Sequence, residues 1–130
     1  MKRILFVCIE NSCRSQMAEG FAKKLGAGKV EAYSAGSRPS GAVNPHAVAV
    51  MQEIGIDISA QKSNGFFDLP YQKFDYIITM GCKDSCPLYP SKETIDWEIE
   101  PPHGSDLDLF RRIRDEIQEK VKGFLNALKA

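Results

Sequence analysis

The chain has 130 residues, 43% apolar and 26% charged, with 17 Lys+Arg against 17 Asp+Glu. One domain of that size buries a core without staples, and the composition excludes a disordered or fibrous chain. Zero net charge leaves no bulk field for nucleic acid or an acidic membrane surface, so any anion site must be local.

Residues 3–8, RILFVC, form a short β-branched apolar run that reads as a buried strand. Met17, Phe21 and Leu25 then recur at helical spacing, which predicts a helix from about Ser15 to Leu25, stopped by Gly26. Residues 29–36 read as a second strand and 37–45 as a turn-rich loop. Pro45 suits the first turn of a helix with Ala47, Val50, Met51 and Ile54 on its apolar face. GIDIS (55–59) is a short extended link, and 60–73 is polar apart from Phe66–Phe67. FDYIITM (74–80) is a third strand, 81–95 a loop, and TIDWEI (94–99) a fourth strand. Ser105 and Asp108 resemble a capping box before a long helix. Leu107, Phe110, Ile113, Ile117, Val121, Phe124 and Leu128 lie along one side of that helix, its start acidic and its end carrying Lys.

Strands alternating with helices point to an α/β fold: one doubly wound domain, its parallel sheet covered by helices on both faces. No repeat, low-complexity tract or linker interrupts it. Sites in such sheets form outside the carboxyl ends of strands. The loops after the first and third strands carry the four cysteines, Cys8, Cys13, Cys82 and Cys86. The N-terminus lacks the long apolar stretch and cleavage site of a signal peptide, and no segment spans a bilayer. The expected setting is the cytoplasm, with no membrane and no nucleic acid as partner, and a monomer. Thiols stay reduced there, so cysteines are more often catalytic, redox or metal-binding than structural.

Cys8 to Ser15 joins a strand end to a helix start. Unsatisfied N–H groups at a helix start suit a tetrahedral oxyanion, and the same field favours a thiolate over a thiol. Arg14 adds a fork of donors matched to two oxygens of a phosphate-like ion. Cys8 is then the candidate nucleophile and Arg14 the anion clamp, with Ser15 placed to hydrogen-bond the thiolate. Cys8 also fits as a small hydrophobe closing a buried strand. The C-x5-R spacing between a strand and a helix favours the chemical reading.

CIENSCRS, with SAG at 34–36 and NPHA at 44–47, resembles the low-molecular-weight protein tyrosine phosphatase fold. NSCRSQMAEGFAK with GIDIS resembles more closely the arsenate reductases built on that fold. Gln16 stands where the phosphatases usually carry Pro. The resemblance implies a four-stranded parallel sheet and a Cys8 nucleophile. It implies a substrate loop of Ile9, Glu10, Asn11, Ser12, Cys13 and Arg14, with Asn11, Ser15 and Ser34 supporting loop and thiolate. The substrate implied is arsenate, with phosphate or sulfate as analogues.

A reductase needs two electrons, and Cys82 and Cys86 can supply them in a disulfide cascade with Cys8. Thioredoxin, or glutaredoxin with glutathione, would then reset the pair. The alternatives are a metal site with His46 or His103, inert loop thiols, or redox protection of a phosphatase. No metal or cofactor is assigned. Cys13 fits simple packing or a protective disulfide with Cys8. Family phosphatases use an Asp before Pro as general acid. DWEIEPPHG puts Pro101 there, with Glu100 one residue away, which favours the reductase. Some reductases of the group hold potassium. Asn11, Glu19 and Ser34 match that set, but Asn64 stands in place of Asp, and Glu19 reads more simply as a helix-surface carboxylate.

Overall fold

The computed structural model describes the chain except residues 9, 10, 72, 81–90, 101, 103, 105, 129 and 130, and of residues 91 and 92 it describes the backbone alone. β-Branched and aromatic residues at Lys2–Val7 form β1, whose Ile4, Leu5 and Phe6 are completely buried. Alternation sends Ile4 and Phe6 to one face of the sheet and Leu5 and Val7 to the other. A strand buried on both faces is what a continuous apolar run predicts.

Helix α1 spans Arg14–Leu25 and stops where Gly26 donates its N–H to Ala22 O at 2.8 Å. Strand β2 is Val30–Ala35, and α2 is Pro45–Gln52, with Asn44 accepting from the His46 N–H. Ile54 lies beyond α2 and is 37% exposed, so it is not part of that helix's apolar face. The polar stretch after it contains one turn of 3-10 helix, Phe66–Asp68. Phe66 is buried there while Phe67 is 98% exposed, so the aromatic pair is split between core and solvent.

Strand β3 is Phe74–Thr79 and β4 is Ser91–Asp96. The fourth strand therefore begins three residues earlier than the apolar pattern indicates and ends before Trp97. Main-chain pairing with β3 defines this edge strand, and SKETID has no apolar run to reveal it. Helix α3 is Leu107–Ala127, capped by Asp106, which accepts from the N–H groups of Asp108 and Leu109. The cap thus falls on Asp106 rather than on a Ser105–Asp108 pair, and Ser105 lies outside the described residues. The last turn of α3 carries no basic residue.

The sheet is four-stranded, in the order β2-β1-β3-β4, with every neighbouring pair parallel. The α/β fold with a four-stranded parallel sheet is as the sequence indicates. Met17, Phe21, Val50, Met51, Phe110, Ile113 and Ile117 bring all three α-helices onto the Ile4–Phe6 face. Phe66, Leu69 and Phe74 cover the Leu5–Val7 face with the 3-10 turn. Among the described residues the α-helices thus lie on one face, and not on both as the alternating pattern indicates, the polar 60–73 stretch supplying the second cover instead. Helix α1 packs so closely on the 56–58 link that a Cβ built on Gly20 would lie 2.6 Å from Ile58 Cγ2. Among the described residues, no helix is long and apolar enough to cross a membrane.

Candidate active site around Cys8

Because β1 has β2 on one side and β3 on the other, the chain leaves it at the point where strand order reverses. In open α/β sheets that crevice is where ligands bind. Two bonds close the ladder there: Met80 N–H to Val7 O at 2.8 Å, and Cys8 N–H to Ala35 O at 3.3 Å. The loop to α1 follows, and no side chain caps the helix at Cys13. The first-turn N–H groups are therefore left without a side-chain cap at the loop.

Cys8 is 3% exposed, and its Sγ lies 2.8 Å from Ser15 Oγ. Asn11 is completely buried and adopts φ +51°, a left-handed conformation that costs most residues about 1–2 kcal/mol but that Asn adopts more readily. Its Nδ2 donates to Ser15 Oγ at 2.8 Å. Ser15 thus links Asn11 to the Cys8 sulfur. On the other side of the loop, Asn44 N–H donates to Ser12 O at 2.9 Å and ties the start of α2 to it. Ser12 Oγ is 3.8 Å from Cys13 Sγ, and Cys13 is half-buried against the larger core.

Arg14 is 8% exposed. Its Nη1 donates to the main-chain oxygens of Met80 and of Ile99, the latter at 2.9 Å. Those bonds hold the guanidinium over the chain leaving β3 and β4. The remaining edge of the fork, Nε and Nη2, is the geometry that grips two oxygens of a tetrahedral anion.

Ser34 and Glu19 are buried together, and the Ser34 hydroxyl donates to Glu19 Oε1. Lys23 meets the other oxygen at 2.5 Å. Glu19 is therefore an interior carboxylate, 6% exposed, rather than a helix-surface one. Asn64 donates its N–H to Asn11 Oδ1 at 2.6 Å and its amide to Ser34 O at 3.4 Å. The cluster of Asn11, Glu19, Ser34 and Asn64 presents donors at Asn64, and Lys23 neutralises its carboxylate.

The structure brings together Cys8, Asn11, Ser12, Cys13, Arg14 and Ser15, with Ser34 behind them. Ile9, Glu10, Cys82, Cys86, Pro101 and His103 lie outside the described residues. Glu100 is exposed. His46 packs its ring against Phe110, with centroids 5.3 Å apart. Among the described residues, no group of three or more His, Cys, Asp or Glu could hold a metal ion. Trp97 is a core residue, its ring near those of Phe6 and Phe124.

The sequence reading gave Gln16 no role. Its side chain is fully buried and bonds Asn11, Lys62 and Gln61. Gln16 stands among Arg14, Ser15 and Glu19, so no local apolar pattern marks it as buried. The Gln61 side chain bonds Gln16, 45 residues away in the chain, which no local pattern reveals.

A thiol and an arginine on one loop, between a parallel strand and the start of a helix, define a cysteine-based oxyanion-binding α/β protein. The description "Low molecular weight phosphotyrosine protein phosphatase" belongs to a family model that matches residues 3–130, and the chain belongs to that family. A protein of Synechocystis sp. named glutaredoxin arsenate reductase is 44% identical over 128 residues, covering 96% of this chain and 97% of that one. A solved structure described as an arsenate reductase in the phosphate binding state superposes with a TM-score of 0.88 at 42% identity, covering 99% of this chain and all of that one. A thioredoxin-dependent arsenate reductase of Corynebacterium glutamicum superposes with a TM-score of 0.80 at 30% identity, covering 98% of this chain and 61% of that one.

Proposed function

We propose that this protein reduces arsenate to arsenite, with Cys8 as nucleophile and Cys82 and Cys86 as the electron source. The observation that carries it is the 2.8 Å contact of Cys8 Sγ with Ser15 Oγ on a loop that also bears Arg14. The relatives named as arsenate reductases cover nearly the whole chain, and one is described in a phosphate binding state. Phosphate and sulfate are tetrahedral oxyanions like arsenate and serve as analogues.

In this reading the Cys8 thiolate attacks arsenic(V), and a hydroxide or water leaves. Arg14 and the N–H groups of the loop, Ile9 to Cys13, take the charge on the oxygens. Cys82 then attacks the Cys8 sulfur. The sulfur–arsenic bond breaks, and its electron pair departs with arsenic(III), which leaves as arsenite. A Cys8–Cys82 disulfide remains. Cys86 attacks Cys82, giving a Cys82–Cys86 disulfide and returning Cys8 as a thiolate. An external thiol system reduces that disulfide with two electrons.

Chain length supports the second step. Val7 and Thr79 are paired in the sheet, so Cys8 follows one of them by one residue and Cys82 follows the other by three. Three extended residues reach about 11 Å at most, and neighbouring strands lie about 4.8 Å apart. A Cα separation of roughly 4.4–6.8 Å, which a disulfide requires, is within that reach without breaking the pairing. For the reductant, the Synechocystis name supports glutaredoxin and the Corynebacterium name supports thioredoxin.

The test is arsenite release with thioredoxin, then with glutaredoxin and glutathione, by wild type, Cys82→Ser and Cys86→Ser. Wild type turns over with one of the two systems, and each variant stops after a single adduct-forming event. Full turnover by both variants would remove the cascade. The second reading is a phosphatase of the same family, with Cys82 and Cys86 protecting Cys8 from oxidation. The family description favours it, and the Pro at position 101 argues against it. Rapid aryl phosphate hydrolysis indifferent to both replacements would establish it instead.

A further inference from the structure

We propose that Gln16 is a positioning residue, oriented by Gln61, that sets the direction of the hydrogen-bond chain ending at the Cys8 sulfur. The proposal rests on Cys8 as nucleophile and adds a control point on the 59–64 loop. Gln16 Nε2 donates to Asn11 O at 2.9 Å, to Asn11 Oδ1 at 3.0 Å and to Lys62 O at 2.8 Å. Two of those acceptors are main-chain carbonyls, which never donate, so the amide nitrogen must face them. Gln16 Oε1 therefore points the opposite way, where Gln61 Nε2 donates to it at 2.8 Å. Gln61 also donates to Gln16 O at 3.1 Å, which holds both ends of the same residue.

The polarity then passes to Asn11. Its Oδ1 receives the Gln16 amide and the Asn64 main-chain N–H, both unambiguous donors. Asn11 Nδ2 is thereby turned to Ser15 Oγ, which becomes an acceptor on that side. The one hydroxyl proton of Ser15 is left for Cys8 Sγ. A donor aimed at sulfur stabilises the thiolate and not the thiol. The same Gln16 amide holds Asn11 O, and so the left-handed backbone at Asn11, from outside the loop.

Without the Gln16 donors, Asn11 Oδ1 keeps only the Asn64 bond and its main-chain oxygen loses a partner. The Asn64 N–H alone then opposes turning of the Asn11 amide, and in the turned fraction Ser15 donates to Asn11 instead of to Cys8. Among the described residues, the charged groups near this chain are Arg14 and the Glu19–Lys23 pair on α1, with the exposed Lys62 contributing its carbonyl. The half-buried Cys13 is the neighbouring thiol. The variants below alter none of these.

The experiment is the rate of Cys8 alkylation by iodoacetamide against pH, with the labelled peptide identified by mass spectrometry. It needs no arsenate, so it stands apart from the reductase assay. Gln16→Met keeps the length of the side chain and removes its donors. Its profile is expected to move to higher pH, with the rate on the acid side falling about two- to tenfold, the worth of one or two hydrogen bonds. The alkaline plateau is unchanged, because the sulfur itself is the same. Gln61→Met, half a step further out and only half-buried, moves the profile in the same direction by less. Should Gln16→Met fail to fold, Gln61→Met decides. A lowered melting temperature with an unmoved pH profile in the folded variants would overturn the proposal and leave Gln16 a packing residue.

Discussion

Ser34 on β2 donates its hydroxyl proton to Glu19 on α1, and both side chains are buried behind the Cys8 loop. The bond ties the first helix to the strand beside β1, where a shift would reach Asn11 through Asn64. Ser34→Ala leaves a buried carboxylate oxygen short of a donor. The expected loss is about 1–3 kcal/mol, read as a lower midpoint in urea unfolding with an unchanged slope.

Arg14→Lys tests the clamp. Lysine offers a compact charge without the planar fork, so it cannot hold Met80 O and Ile99 O while gripping two oxygens of an anion. Phosphate binding, measured as protection of Cys8 from alkylation, should weaken roughly tenfold to a hundredfold, the worth of one charge-assisted bond. Equal protection in both proteins would show that the guanidinium fork is not used.

Gly20→Ala opposes two effects. Alanine gains about 1 kcal/mol of helix propensity over glycine. Its Cβ, however, would lie 2.6 Å from Ile58 Cγ2 and 3.3 Å from Met51 Cε. Overpacking of that kind costs about 1–3 kcal/mol, so the net change is destabilising. Gly20→Ala combined with Ile58→Leu should recover part of the melting temperature, since leucine lacks the Cγ2 methyl in the way and keeps the volume of the side chain.

Acid sensitivity has an identifiable contributor at the α2–α3 contact. Hydrogen bonding by Arg111, then by Arg114, holds the Glu53 carboxyl below the usual carboxylate range. A folded-state pKa below the unfolded value gives stability that is complete above the unfolded pKa and lost as pH falls through the folded one. Glu53→Gln should therefore lose less stability than wild type between neutral and acid pH. The difference should shrink in high salt, because the pair is solvent-facing. Parallel unfolding curves for the two proteins across that range would assign the acid limb elsewhere.

The two layers of the fold were readable to different depths. Helix α1 and strand β1 are set by residues that repeat at one period, Met17 and Phe21 in one and the run from Ile4 to Val7 in the other. Strand β4 is held by pairing with β3, and an edge strand of Ser, Lys, Glu and Thr carries little of that in its own composition. Phe66 and Phe67 are identical letters, and only the 3-10 turn decides which enters the core. Asp106 and Ser105 are both good capping residues one position apart, so the choice between them belongs to the approach of the chain to α3. At the site, Cys8, Arg14 and Ser15 are linked by local spacing. Gln61 meets Gln16, and Asn64 meets Asn11, across 45 or more residues, and nothing in a local pattern encodes those meetings.

Strand β1 is buried on both faces and paired on both sides, and Cys8 is the residue that follows its end. A sheet can fray at an outer strand and survive, but it cannot lose this one. Every donor aimed at the sulfur depends on that strand being in place. The Ser15 contact on the sulfur therefore belongs to the folded molecule, and an unfolded copy carries Cys8 without it. In the proposed reaction the attacking sulfur's surroundings are thus assembled by folding and dismantled with it.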